Sequence, residues 1–495
     1  MKRLLRVTLL MLVSFTATDA VAAEMTLAAV IDTVISQDPG LKISRMDTAI
    51  TASDSQRIEG LLDPLATASL SGSKEKLPVS SVFQATDTRT AQIAGSLSKP
   101  LGNGDLVSAD FTYNRVSQSF ANPAIAAQVA RFNPAYRNQI NLAYRHPLLR
   151  GADKPDYNRA ITANEASTRA SRLQEMVVAH TLALQAINNY YQLASDEIDI
   201  RIAGQAVTRA ERLLSYQHTR EQFGLIERAD RLQAEALLAG RKTDLQQAKA
   251  RRASDLSLLN RLMLRKPDAE LTISIASTPL PEPEAFDTLL ATALQQRPEL
   301  KVLQAQLDAA DAQLLIANDG DQSQLDLIAK VGTRTLNSSP ATAATQALSI
   351  NDHFASLSVE YSDVWGRNTA RAAMRKAELS RQRILAEQTR STEQISDQLA
   401  AASTALISGA PSLQAARKQA EAESRKFTAE MARYRESRSD TATVVQFEGD
   451  LRNAQLRAEL QRLSLQLAAT QLAWARGDLP PLTTNNKTRV DAWNN

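Results

Sequence analysis

The chain has 495 residues, no cysteine, and 57 Lys and Arg against 54 Asp and Glu. Disulfides, thiolate metal sites and a cysteine-borne lipid anchor are excluded, and a near-neutral balance gives no electrostatic motive for a nucleic-acid partner. Aromatic residues make up only 4%, and Ala, Leu, Gln and Arg abound, a composition that leans towards long helices.

The first 22 residues read as a secretory signal. Lys2, Arg3 and Arg6 form a basic end, Val7 to Ala17 an apolar run, and "AVAA" (Ala20 to Ala23) offers small residues for cleavage. Its removal takes three basic residues and Asp19, leaving a mature charge near +1. No later segment holds the roughly 20 apolar residues a spanning helix needs. If this chain crosses a membrane, it does so with strands.

The stretch from Leu27 to Ala49 returns in altered form from Phe286 to Asp308, with Pro39 on Pro298, Leu41 on Leu300 and Lys42 on Lys301. Each copy is followed by a helical stretch, then alternating strands, then a very long helical pattern. The order implies two structural halves rather than a solenoid of short repeats. The first half covers 23–276, with strands within 65–148 and a long helical hairpin over 152–264. A Pro-rich connector occupies 277–285. The second half covers 286–482, with strands within 325–362 and a hairpin over 367–476, and a flexible tail follows at 483–495.

The strands alternate cleanly. Val107, Ala109, Phe111 and Tyr113 share one face, and Ser108, Asp110, Thr112 and Asn114 the other. Ile140, Leu142 and Tyr144 oppose Asn141, Ala143 and Arg145. In the second half Leu325, Leu327, Ala329 and Val331 oppose Asp326 and Lys330, while Leu357, Val359 and Tyr361 oppose Ser356, Ser358 and Glu360. Taken alone, these read as a half-buried soluble sheet. "LGNG" (Leu101 to Gly104) lies between two strands, and its Asn-Gly is a hairpin signal rather than a phosphate loop.

The pattern from Asp156 to about His218 contains no Pro and predicts a helix of roughly 90 Å. Ala170, Leu173, Val177, His180, Leu184, Ile187, Tyr191, Ala194 and Ile198 form one coiled-coil seam. Met176, Ala179, Ala183, Ala186, Tyr190 and Leu193 form a second, and the last helical stretch, Val444 to Ala475, repeats the arrangement. Two seams on one helix require neighbours on both sides, as in a wall or ring; an antiparallel bundle meets the same need.

Two breaks interrupt the helical patterns. At the first, Phe223, Gly224 and Leu225 precede a helix that resumes near Arg228 and carries Asp230. At the second, Ser437, Arg438 and Asp440 form a turn-prone stretch, and Asp440 or Thr441 is suited to cap the helix that bears Thr443 and Gln446. Both breaks read as helix-hairpin tips. No catalytic constellation is found. His146, His180, His218 and His353 lack the close spacing of a helical metal site, and His180, on a seam, reads as a packed histidine. No cofactor or metal is expected, and the chain does not read as an enzyme.

In this order the chain resembles the TolC-type outer membrane efflux protein family, over essentially the whole mature sequence. The resemblance is carried by "RPEL" (Arg297 to Leu300), "HPLLRG" (His146 to Gly151), "FGLIERAD" (Phe223 to Asp230) and "LAWARGDLP" (Leu472 to Pro480). It implies a mainly α fold with β: a trimeric outer-membrane β-barrel continued by a long periplasmic α-helical barrel. It also implies an exit duct for an efflux pump or type I secretion system, a passive conduit opened when a periplasmic adaptor (membrane fusion) protein docks and energised by an inner-membrane pump.

On this reading one chain has too few strands to close a membrane barrel of about eight or more, and open edges in lipid cost several kcal/mol per unpaired group, so chains must pool strands. Val107, Phe111, Tyr113, Ile140, Leu142, Tyr144, Leu327, Val331, Leu357, Val359 and Tyr361 would face outer-membrane lipid. Pro147 would end its strand ladder and Gly151 would permit the turn into the periplasmic helices.

The tips would form a gate and adaptor contact through Phe223, Gly224, Leu225, Asp230, Ser437, Arg438, Asp440, Thr443 and Gln446. Ser437 stands where the family often has Gly. Thr443 and Gln446 stand where well-known members carry aspartates, so the family's cation preference does not carry over directly; an inward-facing Asp230 or Asp440 would supply part of a ring. The family usually has two strands per half, whereas the first half here offers four candidates: Leu65 to Lys74, Ala91 to Lys99, Leu106 to Ser117 and Asn138 to Arg145. Extramembrane hairpins are the expectation favoured here over a larger barrel. The competing reading is a periplasmic coiled-coil adaptor or scaffold without a channel, whose sheets would form small soluble barrels with apolar faces turned inward.

Overall fold

The computed structural model describes residues 24–152, 156–274, 280–281, 284–347 and 352–478. The expected leader 1–22, most of the expected connector 277–285 and the expected tail 483–495 lie outside the described residues. In chain order the elements are α1 (Leu27–Gln37), α2 (Pro39–Glu59), β1 (Leu65–Lys76), β2 (Ala85–Pro100), β3 (Leu106–Phe120), α3 (Pro123–Val129), β4 (Ala135–Pro147), α4 (Asp156–Gln222), α5 (Arg228–Leu262), α6 (Phe286–Gln296), α7 (Pro298–Gly320), β5 (Gln324–Asn337), α8 (Pro340–Ala347), β6 (His353–Ser362), α9 (Asn368–Arg435) and α10 (Thr441–Arg476). Helices α4 and α9 run for 67 and 68 residues. Among the described residues no helix is long and apolar enough to cross a membrane.

The chain divides into two compact units, one comprising 42–176 and 298–393, the other 1–41, 177–297 and 394–495. The first is built on a single antiparallel sheet in the order β1-β2-β3-β4-β5-β6. All four strand candidates before the long helix belong to this sheet, so the first half contributes four paired strands where the family resemblance implies two. Each strand pairs with its sequence neighbour, and an apolar face that runs unbroken along a sheet can be kept only while pairing stays in register.

The strand ends that lead to or from the long helices α2, α4, α7 and α9 all lie on one edge of this sheet, and the short α3 and α8 follow strand ends at the opposite edge. Leu65 pairs with Ser98, Pro100 with Leu106, Pro147 with Asp326, and Gln324 with Ser362. Pro147 ends its ladder as expected: it is the last paired residue, opposite Asp326, and beyond it the Leu148 N–H donates one further bond to Leu325 O at 2.7 Å. The proline has no N–H to lose, so an end position that needs none suits it.

Polar anchors fix the turns at that edge. The β2–β3 connection turns through Gly104 at φ +89°. There the buried Asp105 accepts from Asn103 Nδ2 at 2.5 Å and Tyr144 OH at 2.5 Å, with His146 Nδ1 at 2.6 Å. Gly151, at φ +81°, donates to Asp319, which also pairs with Arg159 at 3.0 Å. Arg367 donates to Asp321 O, Ser323 Oγ and Asp363 between 2.7 and 2.8 Å, tying the start of α9 to the start of β5.

The second unit is helical. Val30, Ile31 and Val34 of α1 are fully buried, as is Ala293 of α6. α1 and α6 each have 11 residues and end in an extended residue, Asp38 or Arg297, before a helix opened by proline. Proline suits that first helical position because its missing N–H would have no partner there. Both seams of α4 are covered in this stretch: Ala183, Ala186, Ile187, Leu193 and Ala194 are all at 0% exposure. His180 is packed, stacked on Trp474 at 4.6 Å with reciprocal backbone contacts, and Arg297 lies over the other aromatic partner at 4.5 Å.

Candidate functional site

Two features stand out once the side chains are placed: the bare face of the sheet and the pair of helix-hairpin tips. The register settles which residues share a face. Tyr113 pairs with Ile93 and Asn138, Phe111 with Gly95 and Ile140, and Val107 with Lys99 and Tyr144. Leu142 pairs with Val331, Leu327 with Val359, Ala329 with Leu357 and Leu325 with Tyr361. On the first hairpin Leu70 pairs with Ile93. All eleven residues expected on an apolar face therefore lie on one face, together with Leu70, Ile93 and Leu97.

That face is largely uncovered. Leu70, Ile93, Leu142, Val331, Leu357 and Val359 are among the exposed large apolar residues, and Leu70 reaches 80%. The opposite face carries Thr67, Ser69, Ser96, Asp110, Asn141, Lys330 and Ser358 at intervening positions. Near the loop-side edge the short uncharged α8 covers part of the apolar face, with Thr335 and Thr333 donating to Ala343 O and Ala347 O at 3.0 and 2.7 Å. At the helix-side edge, Trp365 stands 98% exposed in the turn that follows β6. A contiguous apolar surface of this extent marks an interaction with lipid or protein.

The tips share one backbone solution. Gly224 follows α4 at φ +67°, and Leu225 N–H reaches back to Arg220 O at 2.9 Å. Ser437 follows α9 at φ +60°, and Arg438 N–H reaches back to Arg433 O at 2.9 Å. Both are left-handed helix caps of the kind that favours glycine, so Ser437 holds a strained conformation that Gly224 adopts freely. Asp440 then caps α10, accepting from Thr443 N–H at 2.7 Å, and that bond holds its carboxyl below the usual range. Phe223 and Leu225 project into solvent at 74% and 63% exposure, and Arg438, Asp440 and Gln446 are exposed as well.

Just behind the tips, four helices converge on one hydroxyl. Thr441 Oγ1, at 1% exposure, donates to Asp230 Oδ1 at 2.7 Å. It accepts from Gln217 Nε2 at 2.7 Å and from Tyr434 OH at 3.1 Å, while Gln217 also donates to Tyr434 OH. Leu213, Ala234, Tyr434 and Val444 form the apolar packing beside this network, and burial raises the Tyr434 phenol above its ordinary value. Arg220 lies over the Tyr216 and Tyr434 rings and donates to Ser437 Oγ at 2.9 Å. One hairpin thus supplies Gln217 and Asp230, the other Tyr434 and Thr441.

Farther from the tips, Glu448 of α10 is 2% exposed. Its oxygens are gripped by Arg209 of α4 at 3.0 Å and Arg241 of α5 at 2.6 Å. Two guanidinium groups on one buried carboxylate satisfy the charge that burial would otherwise penalise.

Asp230, Ser437 and Asp440 thus enter the tip structure, and Phe223 and Leu225 its exposed apex. Gln217 and Tyr434 were not singled out from the sequence, and Thr441 was read only as a possible cap. Their partners lie more than 200 positions away, and a lone Gln on a helix carries no mark of them.

A bare-faced sheet joined to paired helical hairpins locked at their tips defines a class of architecture. No family model matches the sequence, and no curated protein matches it significantly. Solved structures do. The Campylobacter jejuni CmeC outer membrane channel superposes with a TM-score of 0.64 at 13% identity, over 94% of this chain and 89% of the other. The Vibrio cholerae outer membrane protein VceC gives 0.64 at 14% identity, over 91% and 96%. The outer-membrane channel OprN gives 0.63 at 16% identity, over 91% and 89%. The chain has the fold of these outer-membrane channels along nearly its whole length.

Proposed function

We propose that the protein is an outer-membrane exit duct, a passive conduit of a tripartite efflux or type I secretion system, with a large periplasmic part. The observation that carries the reading is the apolar face shared by all six strands, backed by a polar face on the same sheet. In a water-soluble adaptor such a face would be turned inward and covered. Here it suits hydrocarbon, with Trp365, Tyr361 and Tyr144 at the helix-side edge as an interfacial aromatic band. The likeness of fold to outer-membrane channels supports the same assignment.

The duct is a homotrimer built from two repeats per chain, 23–276 and 286–482, each ending in a helical hairpin. The matched caps at Gly224 and Ser437 favour that division. A periplasmic adaptor docks on the exposed Phe223, Leu225 and Arg438, and an inner-membrane pump supplies energy. The Gln217–Tyr434–Thr441–Asp230 network holds the tips together at rest, and docking separates the two hairpins. Asp230 is engaged by Thr441 in the locked state, so any contribution it makes to a charged ring with Asp440 follows release. Thr443 and Gln446 keep the rest of that region uncharged.

Purification from outer membranes and recording in planar bilayers test the reading. Detergent-dependent extraction and discrete conductance steps are expected. A processed chain that is a soluble monomer without detergent, and silent in bilayers, overturns it.

A further inference from the structure

The number of strands leads further. Among the described residues the sheet is open: β1 pairs only with β2, and β6 only with β5. All twelve residues of β1 are exposed, and nine of the ten in β6. Each edge offers a row of backbone N–H and C=O groups. In hydrocarbon such a row must be paired, and only another strand can pair it.

The two edges fit one another between copies. β1 runs away from the helix-side edge and β6 runs back to it, so β1 of one copy lies antiparallel to β6 of the next. Their lengths match, at 12 and 10 residues. Both continue the same pattern: Leu70 and Leu357 on the apolar face, Ser69 and Ser358 on the polar one. Joining two different surfaces of identical chains is a heterologous contact, which gives a ring when the rotation closes, and in hydrocarbon only a closed ring leaves no unpaired edge. A ring made this way holds a multiple of six strands. Six alone are too few for a membrane barrel, which starts at about eight.

We infer that the trimeric duct carries an eighteen-stranded barrel, six strands from each chain, sealed by β1 of one copy against β6 of the next. This rests on the trimeric reading above and departs from the two strands per half that the family resemblance implies. With strands about 4.8 Å apart and tilted about 40°, eighteen strands enclose a backbone diameter of about 36 Å, against about 24 Å for twelve. The polar faces of β1 to β3 become part of a wide aqueous lumen wall.

The absence of native cysteine makes the seam directly testable. Strand partners lie about 4.5 to 5.5 Å apart at Cα, within disulfide reach. Pairs are made in the full chain from Thr67→Cys, Ser69→Cys or Ser71→Cys with Ser356→Cys, Ser358→Cys or Glu360→Cys, then oxidised in outer membranes. Native mass and exclusion of sized neutral polymers from the conducting pore are measured alongside.

The expected result is a covalent ladder that ends at the trimer for at least one pair, absent from every single variant. Polymers that a twelve-stranded pore would reject should enter. A ladder ending at the dimer, links only within one chain, or a conducting trimer that links in none of the nine pairs each overturns the eighteen-stranded barrel while leaving the duct standing. A chain with neither oligomer nor conductance overturns both.

Discussion

Replacing Thr441 by valine keeps the volume of the side chain and deletes the hydroxyl on which four helices meet. The loss can be worked from the contacts. The bond to the Asp230 carboxylate, at 2.7 Å, is of the charged kind, contributing about 2 kcal/mol. Gln217 and Tyr434 lose a buried acceptor, at about 1 kcal/mol each before relaxation. With partial relaxation the locked tip loses about 3 kcal/mol, which raises the population of the separated tip on the order of 100-fold.

Amide hydrogen exchange of the purified protein in detergent reads that population. Amides from Tyr434 to Val445 should exchange about 100-fold faster in Thr441→Val, while amides of β3 and β4 serve as an unchanged reference. Resting conductance should rise in parallel. Tip exchange in the variant within about threefold of the parent would show that the network does not hold the hairpins together.

Four further outcomes are expected. Ser437→Gly should be more stable than Ser437→Ala by about 1 kcal/mol, because both lose the hydroxyl that accepts from Arg220 and only glycine relaxes the φ of +60°; an alanine variant equal to the glycine one in thermal unfolding would contradict this. Glu448→Gln removes the charge between Arg209 and Arg241 and should cost about 3 kcal/mol, seen as a lowered denaturation midpoint; a loss under 1 kcal/mol would show the cluster to be dispensable. Asp196 is 4% exposed, and burial, with the carboxyl of Asp255 beside it, pushes its pKa up to about 7; Asp199 and Arg251 are the other charges acting on it. Between about pH 4 and 7 the folded chain then holds a proton that the unfolded chain has released, so stability falls as pH rises through that window. Asp196→Asn should flatten this dependence and stabilise the protein at pH 8 by on the order of 2 kcal/mol, and an unaltered pH profile would refute the assignment. Finally, Leu357→Arg should cost about 2–4 kcal/mol if its face meets lipid, whereas the neighbouring Ser358→Arg should fold and insert normally; equal loss from both substitutions would show that the two faces are not in different media.

How much was legible beforehand differs from element to element. Alternation in Leu106 to Ser117 and Asn138 to Arg145 marked most of β3 and β4; the structure adds three residues at the end of β3, three at the start of β4 and two at its end. A strand's face is written in every second residue, so it survives without knowledge of partners. Sheet membership is not written locally. The six strand candidates were legible one by one, but that all of them pair in a single sheet was not, because pairing depends on which edges are free when strands assemble. The breaks at Gly224 and Ser437 were visible as helix interruptions. That they carry the same left-handed cap required the backbone.

From the sequence alone came the properties that repeat along the chain at short range: the two faces of each strand, the double seams of the long helices, the turn at Gly104 and a helix cap at Asp440 or Thr441. Each depends on spacings of a few residues, so composition and period suffice to express it. Folding in three dimensions added what depends on distant partners. It aligned the apolar residues of six strands on one face, brought Gln217 to Thr441, and buried Glu448 between two arginines. Chain separations of more than 200 residues leave no periodic trace, since any helix position could hold a Gln or a Glu. Only packing selects which of them meet.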